Sequence, residues 1–553
     1  MARQQTPDRS VGELRGPDRT QGRGSVGTPE WTLQLIGHAD LDETEMLSRF
    51  VAEGPESLTR LPGEYVLSIA GNGEQYLISS PFGVAQYYYA ISGNRLVGAD
   101  TMAGVLSEAN LPWRWNWTAV ADLMMFLHLL GTETLHPNVH RVPPGSTLHF
   151  RDGSLRTRSH HTWDAPERDP YTTPHDALKT LNESLARSCS GKPVLSLSGG
   201  FDSRVLLSGL LRQGIRPTLL TMGFELSTDV AIVRKIASDF SLPLLCVEIE
   251  HDDYFRYGPT IVRLTDGTKN AVDWHTFIYV AKAEIEPEST LVVGTCGEIA
   301  RSFYLDRGIA SLLSNSVPGS TWLFWKAKLV KWMTSRFPDD LTGAFRPELG
   351  REFDSEAQTR RLQRLVASSP GGLLEGLDRF YLEHRVPNFY GNGLRLYSAT
   401  TRTRAPYLDL AWARAVRSLT RRWRLGSSWH RFAIGENCPE LLEYPVESEV
   451  DRGYSQMHRR ARPLYWVPPL RRKRSKRHSD LGRPDGYVHY TNYEDWFRGD
   501  PMLSLVRDHG ELLGDLISQD ALETILDRHQ KRGDRLLLVA FLVAMGQLLP
   551  GVR

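Results

Sequence analysis

The segment Ser198-Gly-Gly-Phe-Asp-Ser-Arg204 constrains this chain more than any other. It follows a short apolar strand, Pro193-Val-Leu-Ser-Leu197, and opens a helix that runs on through Val205 to Leu211. Its glycines let backbone N–H groups approach an anion, and a helix N-terminus adds partial positive charge there. Ser198 and Ser203 add hydroxyl donors. Asp202 cannot hold phosphate directly, because like charges repel; a carboxylate beside phosphates makes sense where it holds Mg2+. No Gly-Lys-Ser/Thr follows, so this is not a Walker A loop. A bare Ser-Gly-Gly is an ordinary turn. With Asp-Ser added, between a strand and a helix, the segment reads as a nucleotide site.

The surrounding pattern supplies the fold class. His175–Ser188 reads as a helix, Leu219–Met222 as a second strand, Thr228–Phe240 as a helix, and Pro243–Ile249 as a third strand. Thr290-Leu-Val-Val-Gly294 is a further strand. Alternating strands and helices imply a parallel, doubly wound sheet in an α/β protein. Beyond residue 310 the patterns are mainly helical.

The texture before Pro170 differs. Glu64–Ala70 and Gln75–Ser80 are β-rich runs around a Gly71-Asn-Gly-Glu turn, and Gln86–Ile91 and Arg95–Ala99 flank Ser92-Gly-Asn. Thr147–Phe150 and Leu155–Arg158 form a hairpin signal with Asp152-Gly153 at its tip. A helix is expected over Ala119–Leu130. The expected division is therefore a disordered extension over 1–30, a sheet-rich domain over 31–165, and an α/β domain with additional helices over 170–553. At 553 residues the chain is too long for a single core.

Composition narrows the partners. A net charge of +1 provides no global field toward nucleic acid or a membrane. The polar, Gly/Pro/Arg-rich N-terminus has no apolar core, so it is not read as a signal peptide. Leu536–Leu549 is too short to span a bilayer and reads as a buried helix. Four scattered cysteines, without a CxxC or Cys/His cluster, suit a reducing, cytoplasmic setting. The run Leu470-Arg-Arg-Lys-Arg-Ser-Lys-Arg-His478 reads as a solvated loop, with a polyanion-binding tail or a peptide contact as the other options.

Ser-Gly-Gly-x-Asp-Ser after a strand resembles the pyrophosphate loop of N-type ATP pyrophosphatases. The chain is similar to asparagine synthetase-like enzymes, and most of all to lasso-peptide cyclases. Gln86-Tyr-Tyr-Tyr-Ala90 with Gly98-Ala-Asp-Thr101, Val142-Pro-Pro-Gly-Ser146 and Trp163 resemble parts of a class II glutamine amidotransferase-like domain. Leu220-Thr-Met-Gly223, Asp229 and Arg404-Ala-Pro-Tyr-Leu-Asp409 resemble parts of the synthetase domain. The resemblance implies ATP at Leu195, Ser196, Ser198, Gly199, Gly200, Asp202, Ser203, Met222, Gly223 and Gly294. It implies Mg2+ on Asp202 and Glu298, the latter in Gly294-Thr-Cys-Gly-Glu298 where the family has Gly-x-Gly-x-Asp. Arg452 is the cation nearest the place of the family's late lysine, so Asp202, Glu298 and Arg452 are the candidate catalytic residues.

The departures are specific. The amidotransferase nucleophile is a cysteine at position two; here Ala2 stands there and no Cys precedes Cys189. Glutamine-derived ammonia is therefore not expected, and the N-terminal domain is a degenerate one. Thr295 and Arg402 leave the Tyr–Glu dyad of β-lactam synthetases without counterparts. A peptide α-amine, with a pKa of about 7.7–8.0, can act without a strong base. The resemblance thus implies a lasso-peptide cyclase. It would adenylate an Asp or Glu side chain of a leader-free core peptide and join it to the N-terminal amine, releasing AMP and pyrophosphate. A leader peptidase and a precursor-recognition protein are the implied partners. Another amide ligase, β-lactam synthetase-like or acting on a small molecule, and a non-catalytic scaffold are the alternatives. Asp266 and Lys269 follow the third strand, where both a substrate-facing position and a solvated loop fit.

Overall fold

The computed structural model describes residues 26–28, 30–164, 171–189, 191–303, 343–353, 361, 365, 373–420, 422–446 and 489–552. Its first strands are β1 (Val26–Gly27), β2 (Trp31–Ala39), β3 (Gly63–Gly71), β4 (Glu74–Ser79), β5 (Tyr88–Ser92), β6 (Arg95–Ala99) and β7 (His140–Arg141). There follow β8 (Ser146–Arg151), β9 (Ser154–Ser159), β10 (Lys192–Ser196), β11 (Thr218–Met222), β12 (Leu244–Val247), β13 (Ser289–Val292) and β14 (Arg402–Arg404). They form an antiparallel sheet in the order β1-β2-β3-β4-β8-β9, a small sheet β6-β5-β7, and a sheet β12-β11-β10-β13-β14. Every neighbouring pair in the last is parallel. The protein is thus a mixed α/β structure with antiparallel and parallel sheets.

Side-chain alternation builds the antiparallel sheet. Leu67 and Ile69 of β3 pack with Leu33, Ile78 and Met46, Leu47 and Phe50 of the helix Glu43–Glu53. Val66, next to Leu67 along the strand, joins Ile36, Leu77, Leu148 and Phe150 on the opposite face. Period-two alternation with both faces covered leaves few polar positions inside this sheet. The two-residue hairpins close as expected: Asn72 and Gly73 take φ of 49° and 77°, and Asp152 and Gly153 take 50° and 75°. Such paired left-handed residues match the twist of the flanking strands.

Three expectations shift. The lead-in expected over 1–30 ends sooner, because Val26 and Gly27 pair with Leu33 and Thr32; residues 1–25 lie outside the described residues. The helix expected over Ala119–Leu130 is Trp117–Phe126, stopped by Leu127 at φ 62°. Leu129 and Leu130 are nevertheless buried, which is why the apolar pattern runs on past the helix. The helix expected from Val205 begins four residues earlier, at Phe201. Leu536–Leu548 is a helix buried almost all round, and no helix among the described residues is long and apolar enough to cross a membrane.

The sheet-rich part is tied firmly to the rest. One apolar cluster joins Tyr88, Val120 and Phe126 to Trp274, Phe380 and Phe541, across the boundary near 165–170. The Asp266 carboxylate accepts from the Met102 and Ala103 amides at 2.8 and 3.2 Å, capping the helix Met102–Ala109. Gln86 Nε2 donates to Pro387 O, and the Gly131 amide donates to His384 Nδ1.

Glu64, at the start of β3, carries a testable consequence of this packing. It is 7% exposed and accepts from Ser80 Oγ at 2.8 Å. Burial pushes its carboxyl up to about 8, against the pull of that hydrogen bond. A pKa raised on folding gives a contribution that is full below the unfolded value and is lost as pH rises through about 8. Glu64→Gln is expected to remove a slope of up to about 1.4 kcal/mol per pH unit. Denaturation midpoints should show the variant gaining on the natural protein between pH 5 and pH 8; an equal gap at both would refute the assignment.

Candidate active site

The strand order of the parallel sheet reverses beside β10, with β11 on one side and β13 on the other. Loops leaving the C-terminal ends of β10 and β13 therefore diverge and open a crevice, the usual ligand position in such sheets. The Ser198–Gly200 loop leaves β10, and the Gly294–Glu298 loop leaves β13. Topology, not sequence proximity, brings the two expected loops together.

The first loop is organised around backbone donors. Ser203 Oγ accepts from the Ser198 amide at 3.1 Å and contacts Ser198 Oγ at 3.2 Å. Asp229, buried at the start of the helix Thr228–Asp239, accepts from the Gly199 amide at 2.5 Å. Burial raises the Asp229 pKa, and that hydrogen bond works against it. The helix Phe201–Arg212 starts at Gly200 with no side-chain cap. The helices starting at Glu43, Met102, Trp117, Pro174 and Thr228 all have one. Orphan first-turn amides at an uncapped N-terminus suit an anion.

Arg204 fixes the loop from behind. It is fully buried, and its guanidinium donates to the carbonyls of Gly199, Leu441, Tyr444 and Pro445 at 3.0, 3.3, 2.9 and 2.8 Å. Tyr407, in the Arg404–Asp409 element, donates to the Asp202 backbone carbonyl at 2.7 Å. That element thus steadies Asp202 from below, a role its sequence did not announce.

The second loop meets the first through glycine. A Cβ on Gly294 would lie 2.9 Å from the Ser203 amide nitrogen. One on Gly297 would lie 2.7 Å from Asp202 Cβ and Oδ1. Cys296 takes φ of 71°, rarely adopted by a residue with a side chain, and this turn carries Gly297 against Asp202. Cys296 itself is buried, and burial pushes its thiol well up, so it is not a nucleophile.

Asp202 and Glu298 consequently face each other in unlike surroundings. Arg301 donates to Asp202 Oδ2 at 3.0 Å. His430 Nε2 lies 2.8 Å from Oδ1, in contact but outside hydrogen-bonding geometry, so Oδ1 accepts no hydrogen bond. Burial opposes ionisation of Asp202, but Arg301 and His430 outweigh it and hold the carboxyl below its usual range. Glu298 shifts the other way, raised by burial and then by the Asp202 charge. Its carboxylate accepts from Tyr390 at 3.0 Å and Tyr381 at 3.3 Å. Both tyrosines belong to a ten-residue π-helix, Tyr381–Tyr390, a geometry often found at functional sites.

The donor set fits a hard divalent cation. Two carboxylates meet from facing loops, and Asp202 keeps an oxygen without a hydrogen bond. Among the described residues no three His, Cys, Asp or Glu gather into a protein-only cage. Mg2+ usually takes one or two carboxylates and completes its shell with phosphate and water.

The other expected positions are distributed as follows. Ser196 Oγ contacts Tyr279 OH at 2.9 Å. Met222 ends β11, on the side of β10 away from β13, and Gly223 follows it with φ of 134°. The Leu195 side chain is fully buried in the core and is not available to a ligand. Arg452 and the basic run 470–478 lie outside the described residues. Asp266 and Lys269 do not form a solvated loop: they are 2% and 4% exposed. Asp266 is a helix cap, with burial pushing its carboxyl up to about 6. Arg301, His430, Tyr381 and Tyr390 were not legible as site residues in the sequence.

No protein-family model matches the chain, and no curated protein matches it. Among solved structures it is similar to an "allosteric regulatory enzyme of purine biosynthesis" at 13% identity and a TM-score of 0.18. That match covers 40% of this chain and 61% of the other. It is also similar to glutamine phosphoribosylpyrophosphate amidotransferase from B. subtilis complexed with ADP and GMP. That likeness has 12% identity, a TM-score of 0.18, and covers 49% of this chain and 63% of the other. The chain thus spans about three fifths of each solved chain, and at this TM-score neither likeness carries an argument.

Proposed function

We propose that this protein is an ATP-dependent, AMP-forming amide ligase, and that it closes a ring in a leader-free peptide. One observation carries the reading: an uncapped helix N-terminus behind Ser198-Gly-Gly lies at a sheet switch point, with carboxylates from both crevice loops beside it.

In this reading the ATP phosphates lie on the first-turn amides of the helix Phe201–Arg212 and on the Ser198 and Ser203 hydroxyls. Asp202 and Glu298 would hold Mg2+, which neutralises charge developing at the α-phosphate. A peptide Asp or Glu carboxylate attacks that phosphorus and pyrophosphate leaves. The peptide's N-terminal amine then attacks the acyl-adenylate and AMP leaves, giving an isopeptide macrolactam. Arg301 and His430 keep Asp202 ionised and fixed, so it is ready when nucleotide arrives. Tyr381 and Tyr390 orient Glu298. Holding the amine close replaces entropy otherwise lost in ring closure. A leader peptidase and a precursor-recognition protein would act before this step, and the N-terminal part, an amidotransferase-like domain, would serve as scaffold or docking surface.

The internal partners of Asp202 and of the Gly199 amide also favour a second reading, a non-catalytic scaffold. Mass spectrometry separates the two. Linear peptides with a free N-terminus and an Asp or Glu about eight residues in are incubated with the protein, ATP and Mg2+. A product lighter by one water, resistant to aminopeptidase and matched by AMP, is the expected result. AMP without a lighter peptide would move the substrate elsewhere. Failure to bind Mg-ATP would leave the scaffold.

A further inference from the structure

Arg141 and Asn392 come from different parts of the chain and line one polar cavity. They are 2% and 3% exposed. Among the described residues, Arg141 Nε and Asn392 Oδ1 have no hydrogen-bond partner. Neighbours fix both atoms in their roles. The Arg141 terminal nitrogens donate to the Gly83 and Gly131 carbonyls, each at 3.0 Å, which leaves Nε–H. The Thr268 hydroxyl gives its hydrogen to the Thr265 carbonyl at 2.6 Å, so it can only accept from Asn392 Nδ2, 2.9 Å away. The Asn392 amide is therefore held one way round, and Oδ1 stays an acceptor. A buried donor and a buried acceptor left apart are costly, and a group that joins them removes the cost of both.

The cavity has a volume of about 10 Å³, room for one water. Its charges disfavour an ion of either sign: the Arg141 guanidinium repels a cation, and Glu133, which also lines the cavity, repels an anion. A water accepts from one partner and donates to another, which is what Arg141 Nε and Asn392 Oδ1 require. Other polar groups of the wall are already engaged. Tyr88 donates to Gln86 Oε1 at 3.3 Å, and Asn388 Nδ2 donates to the His384 and Gly131 carbonyls at 2.9 and 3.2 Å.

The place of the cavity gives such a water a role. Gln86, Tyr88 and Arg141 belong to the sheet-rich part, whereas Asn388 lies in the π-helix and Asn392 in the helix that follows it, Gly391–Ser398. Gln86 Nε2 donates to the Pro387 carbonyl inside the π-helix at 3.1 Å, and the Gly131 amide donates to His384 Nδ1 at 2.9 Å. Tyr381 and Tyr390 of the same π-helix donate to Glu298. The sheet-rich part thus grips the element that orients Glu298, and a bridge from Arg141 to Asn392 completes the grip. We propose that the cavity is a binding site for one ordered water, which accepts from Arg141 Nε, donates to Asn392 Oδ1 and pins the π-helix segment to the sheet-rich part. The site is independent of what the crevice binds.

Crystals of the full chain soaked in sodium bromide test the site. The expected result is one water peak within hydrogen-bonding distance of both atoms, with no anomalous bromide signal there. Asn392→Leu should remove the peak. Asn392→Asp, which gives up the bond to Thr268 but keeps the acceptor, should retain it. Hydrogen exchange read by mass spectrometry tests the pinning. In Asn392→Leu, peptides from 381–398 should exchange about tenfold faster than in the natural protein, and those from 31–79 at the natural rate. Asn392→Asp should stay close to the natural rate in both, which separates loss of the water from loss of the Thr268 bond. No peak in the natural protein overturns the proposal, as does a bromide peak or a water peak that survives Asn392→Leu. Natural exchange at 381–398 after the water is lost overturns the pinning. Where Asn392→Leu does not fold, the density in the natural protein decides the site.

Discussion

Replacing Asp202 with asparagine is expected to lower peptide-dependent AMP formation on the order of a thousandfold, the scale of losing a preorganised charge partner in a transition state. Asparagine keeps the shape, so the contacts with Gly297 and Arg301 survive in outline. The charge that would bind Mg2+ does not. Breaking a fully desolvated pair costs about 3–5 kcal/mol. Here the side chains of Arg301 and Asp202 remain 27% and 22% exposed, so the loss of stability should be nearer about 1–2 kcal/mol. The decisive pattern is a folded protein with no AMP. Retained AMP formation would remove Asp202 from the metal site and move attention to Glu298 alone.

The contrast between the two crevice loops and the groups behind them shows what the sequence could express. Asp202 and Glu298 each sit in a contiguous glycine-bearing segment after an apolar strand, so a reader moving along the chain meets the chemistry and its context together. The hairpins at Asn72-Gly73 and Asp152-Gly153 are legible for the same reason: the turn residues alone demand left-handed backbone. Arg301 is only three residues past Glu298, but a lone arginine there looks like any surface cation. His430 is 228 positions from Asp202, and no spacing rule joins them (430 − 202). Tyr381 and Tyr390 were hidden differently. A π-helix widens the turn, so the 3.6-residue period that marks a helix face fails across Tyr381–Tyr390, and Pro387 reads as a break. Lys269 was visible in position but not in burial, because the elements that enclose it, such as the π-helix bearing Phe389, come more than a hundred residues later.

Arg204→Met should be the most damaging substitution away from the reacting atoms. Methionine matches much of the volume and leaves the packing under Phe201 nearly filled, so the loss is one of donors. Four carbonyls, on Gly199, Leu441, Tyr444 and Pro445, share this one guanidinium. Each buried acceptor left without a donor costs about 1–3 kcal/mol. Allowing for water reaching Tyr444 and Pro445, whose bonds are only part-buried, the net loss is about 3–5 kcal/mol. Arg204→Lys should rescue little, since one ammonium with three donors cannot span the fork that the planar group fills. The functional consequence is separable from the loss of stability. Gly199 offers its amide to Asp229 and its carbonyl to Arg204, and releasing one end lets this peptide rotate. Mg-ATP affinity should therefore fall at temperatures where circular dichroism shows both variants still folded. If nucleotide affinity stays at the natural level while only the melting temperature drops, Arg204 is a core strut, and the loop's shape is set by Ser203 and Asp229 instead.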